Sequence, residues 1–189
     1  MANYIQVLSA KQKALQINLE NSIYGAFAEI GAGQEVARHF FQAGGAAQTI
    51  AKTISAYDMA MSDAIYGKEE SGRYVSEGRL LKMLEREFSI LLSRLEGVRA
   101  PNTRYFAFAN TVATRTHAKS GYGVMGLRFQ HKAGAPHNDV ILYVRMLDNQ
   151  VTLQQEALGV IGVNLIYGSY FLLDNLDVFL QSLLDNLSV

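Results

Sequence analysis

The stretch Ile23-Tyr-Gly-Ala-Phe-Ala-Glu-Ile-Gly-Ala-Gly-Gln-Glu35 decides what kind of fold the chain can have. Residues 22–30 read equally as strand or helix. The next segment, 34–42, reads as a helix, because Val36, Ala37, Phe40 and Phe41 share one face at helical spacing. Between them lies Gly31-Ala-Gly33. A dinucleotide turn needs Gly-x-Gly-x-x-Gly after a strand, so that backbone amides can approach a pyrophosphate at a helix N-terminus. Gly31 and Gly33 fit that pattern and Val36 fails it. The related S-adenosylmethionine turn, Glu-x-Gly-x-Gly-x-Gly, is met at Glu29, Gly31 and Gly33, with Glu35 in place of its last glycine. Asp58 follows at a spacing suited to a ribose-binding acid. A partial glycine motif favours a tight turn or close helix packing over a nucleotide site. Glu35 also argues against an anion there, since a carboxylate already stands at the favourable end of the helix dipole. Gly31 and Gly33 are therefore the candidate ligand-binding residues only under an alternative reading.

Outward from this segment, the periodicity predicts helices at 9–20, about 46–64 and about 77–97. The 46–64 helix rests on a stripe of Ile50, Ile54, Tyr57 and Met61 after the Gly44-Gly45 stop. The 77–97 helix is the clearest, with Leu80, Leu81, Leu84, Phe88, Leu91, Leu92 and Leu95 on its apolar face, Ser76 as N-cap, and Pro101-Asn102 breaking it. Three runs rich in Tyr, Phe, Val and Thr follow at 104–114, 122–130 and 140–146. Their short connections require antiparallel neighbours. Helices at 151–172 and 175–187 end the chain, the second capped by Asp174 or Asn175. The expected class is α+β: helices around a three-stranded antiparallel β-meander, with an extra strand near 22–30. An α/β fold with a nucleotide-type glycine turn is the alternative. The expected organisation is a single domain over 1–189, mainly helical in 1–98, meander in 103–147, and apolar helices in 151–187. Ile-Tyr-Gly recurs at Ile23, Ile65 and Ile166 without a common period, so no repeat is inferred.

Composition removes several function classes. The chain has 189 residues, 49% apolar and 18% charged, with no cysteine and two prolines. General disorder, disulfides, thiol catalysis and cysteine-ligated metals are excluded. The start, Met1-Ala-Asn-Tyr-Ile-Gln-Val-Leu, lacks the basic opening of a secretory signal, and a cytoplasmic location is expected. The formal net charge of zero conceals an asymmetry. Arg99, Arg104, Arg115, Lys119, Arg128 and Lys132 make the middle basic, whereas Asp148, Glu156, Asp174, Asp177 and Asp185 face no Lys or Arg after Met146. Pairing of the acidic end with the basic middle is the favoured explanation, and an anionic ligand at the middle the other.

The remaining motifs resolve towards structure. Gly44 to Thr53 is no phosphate loop, because Ala51 stands where its glycine is needed. Arg104-Tyr-Phe-Ala-Phe-Ala109 echoes an RNA-stacking strand but lacks its glycine, and a buried aromatic strand is expected. His117 lies at the opposite end of the meander from His131 and His137, and the latter two would need a third ligand such as Asp139, so no metal is expected. The uncharged run 157–173 is flanked by Glu156 and Asp174 and reads as a helix buried in a core or subunit interface rather than a membrane span. No nucleophile–base arrangement can be assembled, so catalytic residues are unassigned.

Several longer blocks resemble a known family. They are Tyr24–Gly45, Ala51–Asp58, Asp63–Gly67, Phe106–Ala113, Met125–Gln130, Val144–Asp148 and Gln154–Gly168. Together they resemble an uncharacterised bacterial protein family over nearly the whole chain, this sequence matching the N-terminal part of longer members. Members often carry the labels TonB-dependent receptor or nicotinate-nucleotide adenylyltransferase. Neither label fits, because there is no run of barrel strands and no His-x-x-His turn. The resemblance implies no catalytic residues.

The expected function is thus a cytoplasmic, non-catalytic, self-assembling structural or interaction module without a cofactor. Its homo-oligomer interface would use Leu165, Tyr167, Tyr170 and Phe171 on the apolar C-terminal helix. The alternative is a nucleotide- or anion-binding domain of an enzyme or sensor whose remainder lies outside this sequence. Nucleic acid and membrane are not expected partners.

Overall fold

The computed structural model describes residues 7–115 and 120–187. Segment 22–30 resolves as a strand, and its setting determines the architecture. β1 (Ile23–Ile30) pairs in parallel with both β2 (Ile50–Ile54) and β3 (Arg104–Ala113). β4 (Gly121–Gln130) and β5 (His137–Met146) then add antiparallel neighbours, giving one five-stranded sheet in the order β2-β1-β3-β4-β5. This mixed α/β sheet overturns the expectation of an α+β fold built on a three-stranded antiparallel meander.

The reason lies in β1 itself. A strand buried on both faces has no polar face, so the alternation that marks a half-exposed strand is absent. In β1 the alternation is large against small: Ile23 and Phe27 pack on one side, Ala26 and Ala28 on the other. Phe106 and Phe108 of β3 and Met125, Leu127 and Phe129 of β4 extend the large-residue side. Ala107 and Ala109 extend the small-residue side, where Gly126 also faces Leu80 and Leu84. The small residues let α4 (Glu77–Leu95) lie close on that face through Leu80, Met83, Leu84, Phe88 and Leu91. The opposite face carries α1 (Ala10–Leu19), α2 (Glu35–Ala43), α5 (Val151–Phe171) and α6 (Leu176–Ser182).

The helix expected over 46–64 is also overturned. Gly44 and Gly45 sit at φ 89° and 73°, a 3-10 turn covers Ala46–Gln48, and β2 follows. Ile50 and Ile54 have the spacing of a helical stripe, but Thr49, Thr53 and both isoleucines are β-branched and favour a strand. The register shift in the β1 pairing then places Ile50 on the α2 and α5 side and Ile54 on the α4 side. Only Met59–Tyr66 is helical (α3), capped by Asp58, whose Oδ1 accepts from the Met61 amide at 2.9 Å. Asp58 is thereby a helix cap. The other caps fall where the side chains call for them: Ser76 accepts from Arg79 N at 3.2 Å, and Asn175 from Val178 N at 3.3 Å.

α5 lies between the sheet and the outer helices. The α2–α5 contact is set by Gly162, where a methyl group would run into the side chain of Val36 and come within 3.0 Å of Phe108 Cζ. Ordinarily Gly→Ala in a helix gains about 1 kcal/mol. Here we expect Gly162→Ala to lower stability by about 1–3 kcal/mol, as overpacking does. Urea denaturation of the variant checks this, and a gain in stability would show that α2 is free to move away.

Candidate functional site

In a sheet of this kind the carboxyl ends of the strands offer a crevice where the connections diverge to opposite sides. From β1 the chain crosses by α2 to β2, and from β2 by α3 and α4 to β3 on the other side of β1. The divergence therefore falls between β1 and β3, where Ile30 is paired with Thr111. Gly31-Ala-Gly33 stands at this point. Gly31 has φ 102°, and a Cβ there would overlap the carbonyl oxygen of Val112, so the first glycine is required by backbone packing against β3. Gly33, at φ 92°, is exposed, with Nε2 of Gln155 and Oε1 of Glu35 each 3.8 Å from where its Cβ would be. Of the two glycines, the second is the one open to a ligand.

The anion position at the α2 N-terminus is already occupied. Glu29, 1% exposed, turns its carboxylate onto the first turn of α2: Oε1 accepts from Ala37 N at 2.9 Å and Oε2 from Val36 N at 3.2 Å. Asn110 Nδ2 donates to Oε2 at 3.1 Å, while its Oδ1 accepts from Ile30 N at 3.2 Å. Burial pushes the Glu29 carboxyl up to about 7, against the three N–H donors that favour its charged form. The sequence placed the objection to an anion on Glu35, which does stand in the first turn of α2, half-buried and 3.6 Å from Arg38; Glu29 adds a second carboxyl at the same turn.

A second helix N-terminus reaches the same edge. α5 begins at Val151, and its N-cap residue Gln150 provides no side-chain cap. Residues 151–153 are exposed. The fully buried Gln154 fastens this end to the loop after β3: its Oε1 accepts from Arg115 N at 2.9 Å and its Nε2 donates to Asp148 O at 2.7 Å. Arg115 is exposed, and its guanidinium donates to Asn149 Oδ1. Gly33, Gln155, Gln154 and Arg115 thus bring the β1 turn, the β3 exit and the start of α5 together. The sequence did not single out Glu29 as a cap, nor Asn110, Gln154 or Arg115 as site residues. One signal was available: Glu29 is a lone acid in an apolar strand, and such a carboxylate needs local donors.

The other expected residues fall elsewhere. Leu165 and Tyr170 are buried among the chain's own core residues, Tyr167 is half-buried, and Phe171 is 41% exposed. His137 packs its ring on Phe88 at 5.5 Å. His39 lies against α5 at Gly159, and burial lowers its pKa. His117 and Lys119 lie outside the described residues. No group of three or more His, Asp or Glu suited to a metal ion occurs among the described residues, and no described helix is long and apolar enough to cross a membrane. Phe106 and Phe108 are buried, as a core strand requires. The pairing expected between the acidic end and the basic middle does not occur among the described ion pairs: Asp185 meets Lys13 at 2.6 Å, while Arg128 meets Asp139 and Glu85.

Comparison with known proteins gives likeness in fold. No family model and no curated protein matches the chain. Among solved structures, the competence/damage inducible protein CihA from Agrobacterium tumefaciens is similar at TM-score 0.62 and 17% identity, covering 85% of this chain and 94% of that one. A competence-damaged protein (CinA) superfamily protein from Enterobacter cloacae is similar at TM-score 0.60 and 12% identity, over 88% and 96%. Another from Escherichia coli is similar at 0.53 and 11%, over 95% and 94%. At these identities the likeness shows a shared fold.

The Glu29 cap has a pH signature. Its carboxyl is raised from 4.5 in the unfolded chain to about 7 in the folded one. Between these values the folded state holds more protons, so its contribution to stability is full below pH 4.5 and is lost as pH rises to about 7. We expect Glu29→Gln to remove this component, at most about 3 kcal/mol. Denaturation of both proteins from pH 4 to 8 checks it: the stability difference should change over that interval and be flat above it.

Proposed function

We propose that the chain is an α/β domain that binds a nucleotide-like anionic small molecule at the carboxyl ends of β1 and β3. The observation that carries this reading is the start of α5, without a side-chain cap, lying between the exposed Gly33, which approaches Gln155, and Arg115, whose backbone N–H is held by Gln154 and whose guanidinium is held by Asn149. Each component suits an anion. Arg115 is a fixed positive charge with forked donors. The first turn of α5 offers N–H groups without side-chain acceptors and the positive end of a dipole. Gly33 leaves room for backbone approach. The likeness to competence/damage-inducible proteins extends over most of both chains and supports the α/β fold on which this site is built.

In this reading the phosphate-like group sits against α5 and Arg115, not against α2. The Glu29 carboxyl already accepts the first amides of α2, and Glu35 stands in the same turn, so that helix end is taken. Tyr57, 74% exposed, follows β2 at the same edge and presents an aromatic face for the ring of such a ligand. The reading assigns binding, and no side chain here is placed as nucleophile or base.

Thermal melting with a panel of nucleoside mono- and diphosphates at fixed ionic strength tests this. A ligand that binds only the folded chain raises the melting temperature by mass action, by about 2.7 kcal/mol of stability at a hundredfold excess over Kd. The rise should disappear in Arg115→Ala, which is exposed and should leave the unliganded melting temperature unchanged. Absence of any shift across the panel would overturn the proposal.

A further inference from the structure

The two edges of the sheet are built differently. Edge strands expose unpaired N–H and C=O groups, and folded proteins blunt them with short length, lysine, proline, bulges or a covering element. β2 is blunted: it has five residues, carries Lys52 at its centre, and its pairing with β1 shifts register between Gly25 and Ala26. β5 has none of these features. It runs ten residues without proline or lysine, and its pairing with β4 is continuous from Gly121↔Met146 to Gln130↔His137. Among the described residues no strand pairs with its outer side.

We propose that β5 is a homodimer interface, pairing antiparallel with β5 of a second copy about a twofold axis at Leu142. The side-chain pattern selects this register. With Leu142 opposite its own copy, Asp139 falls opposite Arg145, Val140 opposite Val144, and Ile141 opposite Tyr143, each pair occurring twice. Residues directly opposite share a face. The odd-numbered ones lie on the α4 side, where Ile141 packs and the Tyr143 hydroxyl meets Glu77; Val140, Leu142 and Val144 lie on the α5 side. Both helix layers therefore continue across the axis and the sheet becomes ten-stranded.

Charge complementarity identifies the occupant as a second copy. Asp139 and Arg145 are the only charged residues of β5, and they are opposite in sign. Arg145 is exposed and makes no ion pair among the described residues, whereas Asp139 holds Arg128 but keeps 26% of its side chain open. Moving the axis by one residue along the strand sets Asp139 against Tyr143 or against Leu147, and the charge match is gone. Tyr143 and Leu147, 70% and 79% exposed, would be covered in part by the pairing. An apolar cleft of about 340 Å³ beside Leu147, lined by Met146, Leu158, Ile161 and Leu184, would receive Pro136 and the start of β5 of the second copy.

The chain has no cysteine, so single-cysteine variants report this contact without background. Light scattering over a wide concentration range should give twice the mass of the chain, and mild oxidation of Leu142→Cys should give a covalent dimer, while Ala51→Cys on β2 should give none. Arg145→Asp, on an exposed side chain, places like charges opposite each other twice and should weaken the dimer roughly tenfold or more at an unchanged fold by circular dichroism. A monomer at every concentration overturns the proposal. So does a dimer that is indifferent to Arg145→Asp, which would place the contact elsewhere, for example at Phe171 on α5. Because both readouts are independent of any ligand, failure of the nucleotide-site proposal leaves them intact.

Discussion

The carboxylate of Glu29 joins the three elements on which the rest of the molecule is hung. It belongs to the end of β1, it accepts the first amides of α2, and it takes an N–H from Asn110 of β3. Removing a charge from water is costly unless donors replace the lost hydration. The cost is met only when β1 and β3 are in register and α2 starts at Glu35. The buried carboxylate is thus a positional constraint. It rewards one pairing of strands and one exit angle of the chain, and a slipped register would leave it without partners. Asn110 reinforces the constraint by accepting from Ile30 N while donating to Glu29, so both halves of its amide are spent on β1.

The same interaction decides where chemistry can occur. In nucleotide-binding α/β sheets the helix after the first strand commonly offers its N-terminus to phosphate. Here that helix is neutralised from within. The proposed anion position is therefore at α5, which is far away in sequence but tied to the β3 exit through Gln154. Gly31 and Gly33 look alike in the sequence and differ in the structure. The first is fixed by the Val112 carbonyl and the second faces outward. A glycine pattern alone therefore could not tell a packing requirement from a ligand-facing turn.

How far the sequence could be read follows from which faces of each element are exposed. α4 was legible because one side meets the sheet and the other meets water, so its leucines keep helical spacing against Lys82, Glu85 and Arg86. β3 and β4 were legible from their aromatic and β-branched content, although they too are buried on both faces. β1 was ambiguous because its alternation is one of size, phenylalanine against alanine, which no polarity pattern records. β2 imitates a helix because Ile50 and Ile54 stand four residues apart, while the register shift between them puts the two on opposite faces of the sheet, a feature no periodicity records. Once β1 and β2 are uncertain, the parallel half of the sheet is lost and only the meander remains, which is why the class went to α+β. Of the site, the glycines were visible. Arg115 was visible only as one of six basic residues of the middle and Gln154 not at all, since each takes its place only after the chain ends of β3 and β5 are brought together.

The two halves of the sheet then carry different burdens. The parallel half, β2-β1-β3, is closed by helices on both faces and ends in a protected edge; its open part is the crevice at the carboxyl ends. The antiparallel half, β3-β4-β5, brings strands whose small and large residues continue the two layers but whose last member has no neighbour among the described residues. β5 is half-buried through Val140, Ile141, Leu142 and Val144, so it is held to the core, yet its backbone groups remain unpaired on one side. The outward N–H and C=O groups of β5, which belong to every second residue, are satisfied by water or by another strand. Because β5 ends at Met146, four residues before α5 begins, whatever orders that edge also orders the loop holding Asp148 and Asn149, and through Gln154 and Arg115 it reaches the proposed binding site. The proposed edge contact and the proposed crevice site thus share one short loop, 147–150, fastened by Gln154 and Arg115.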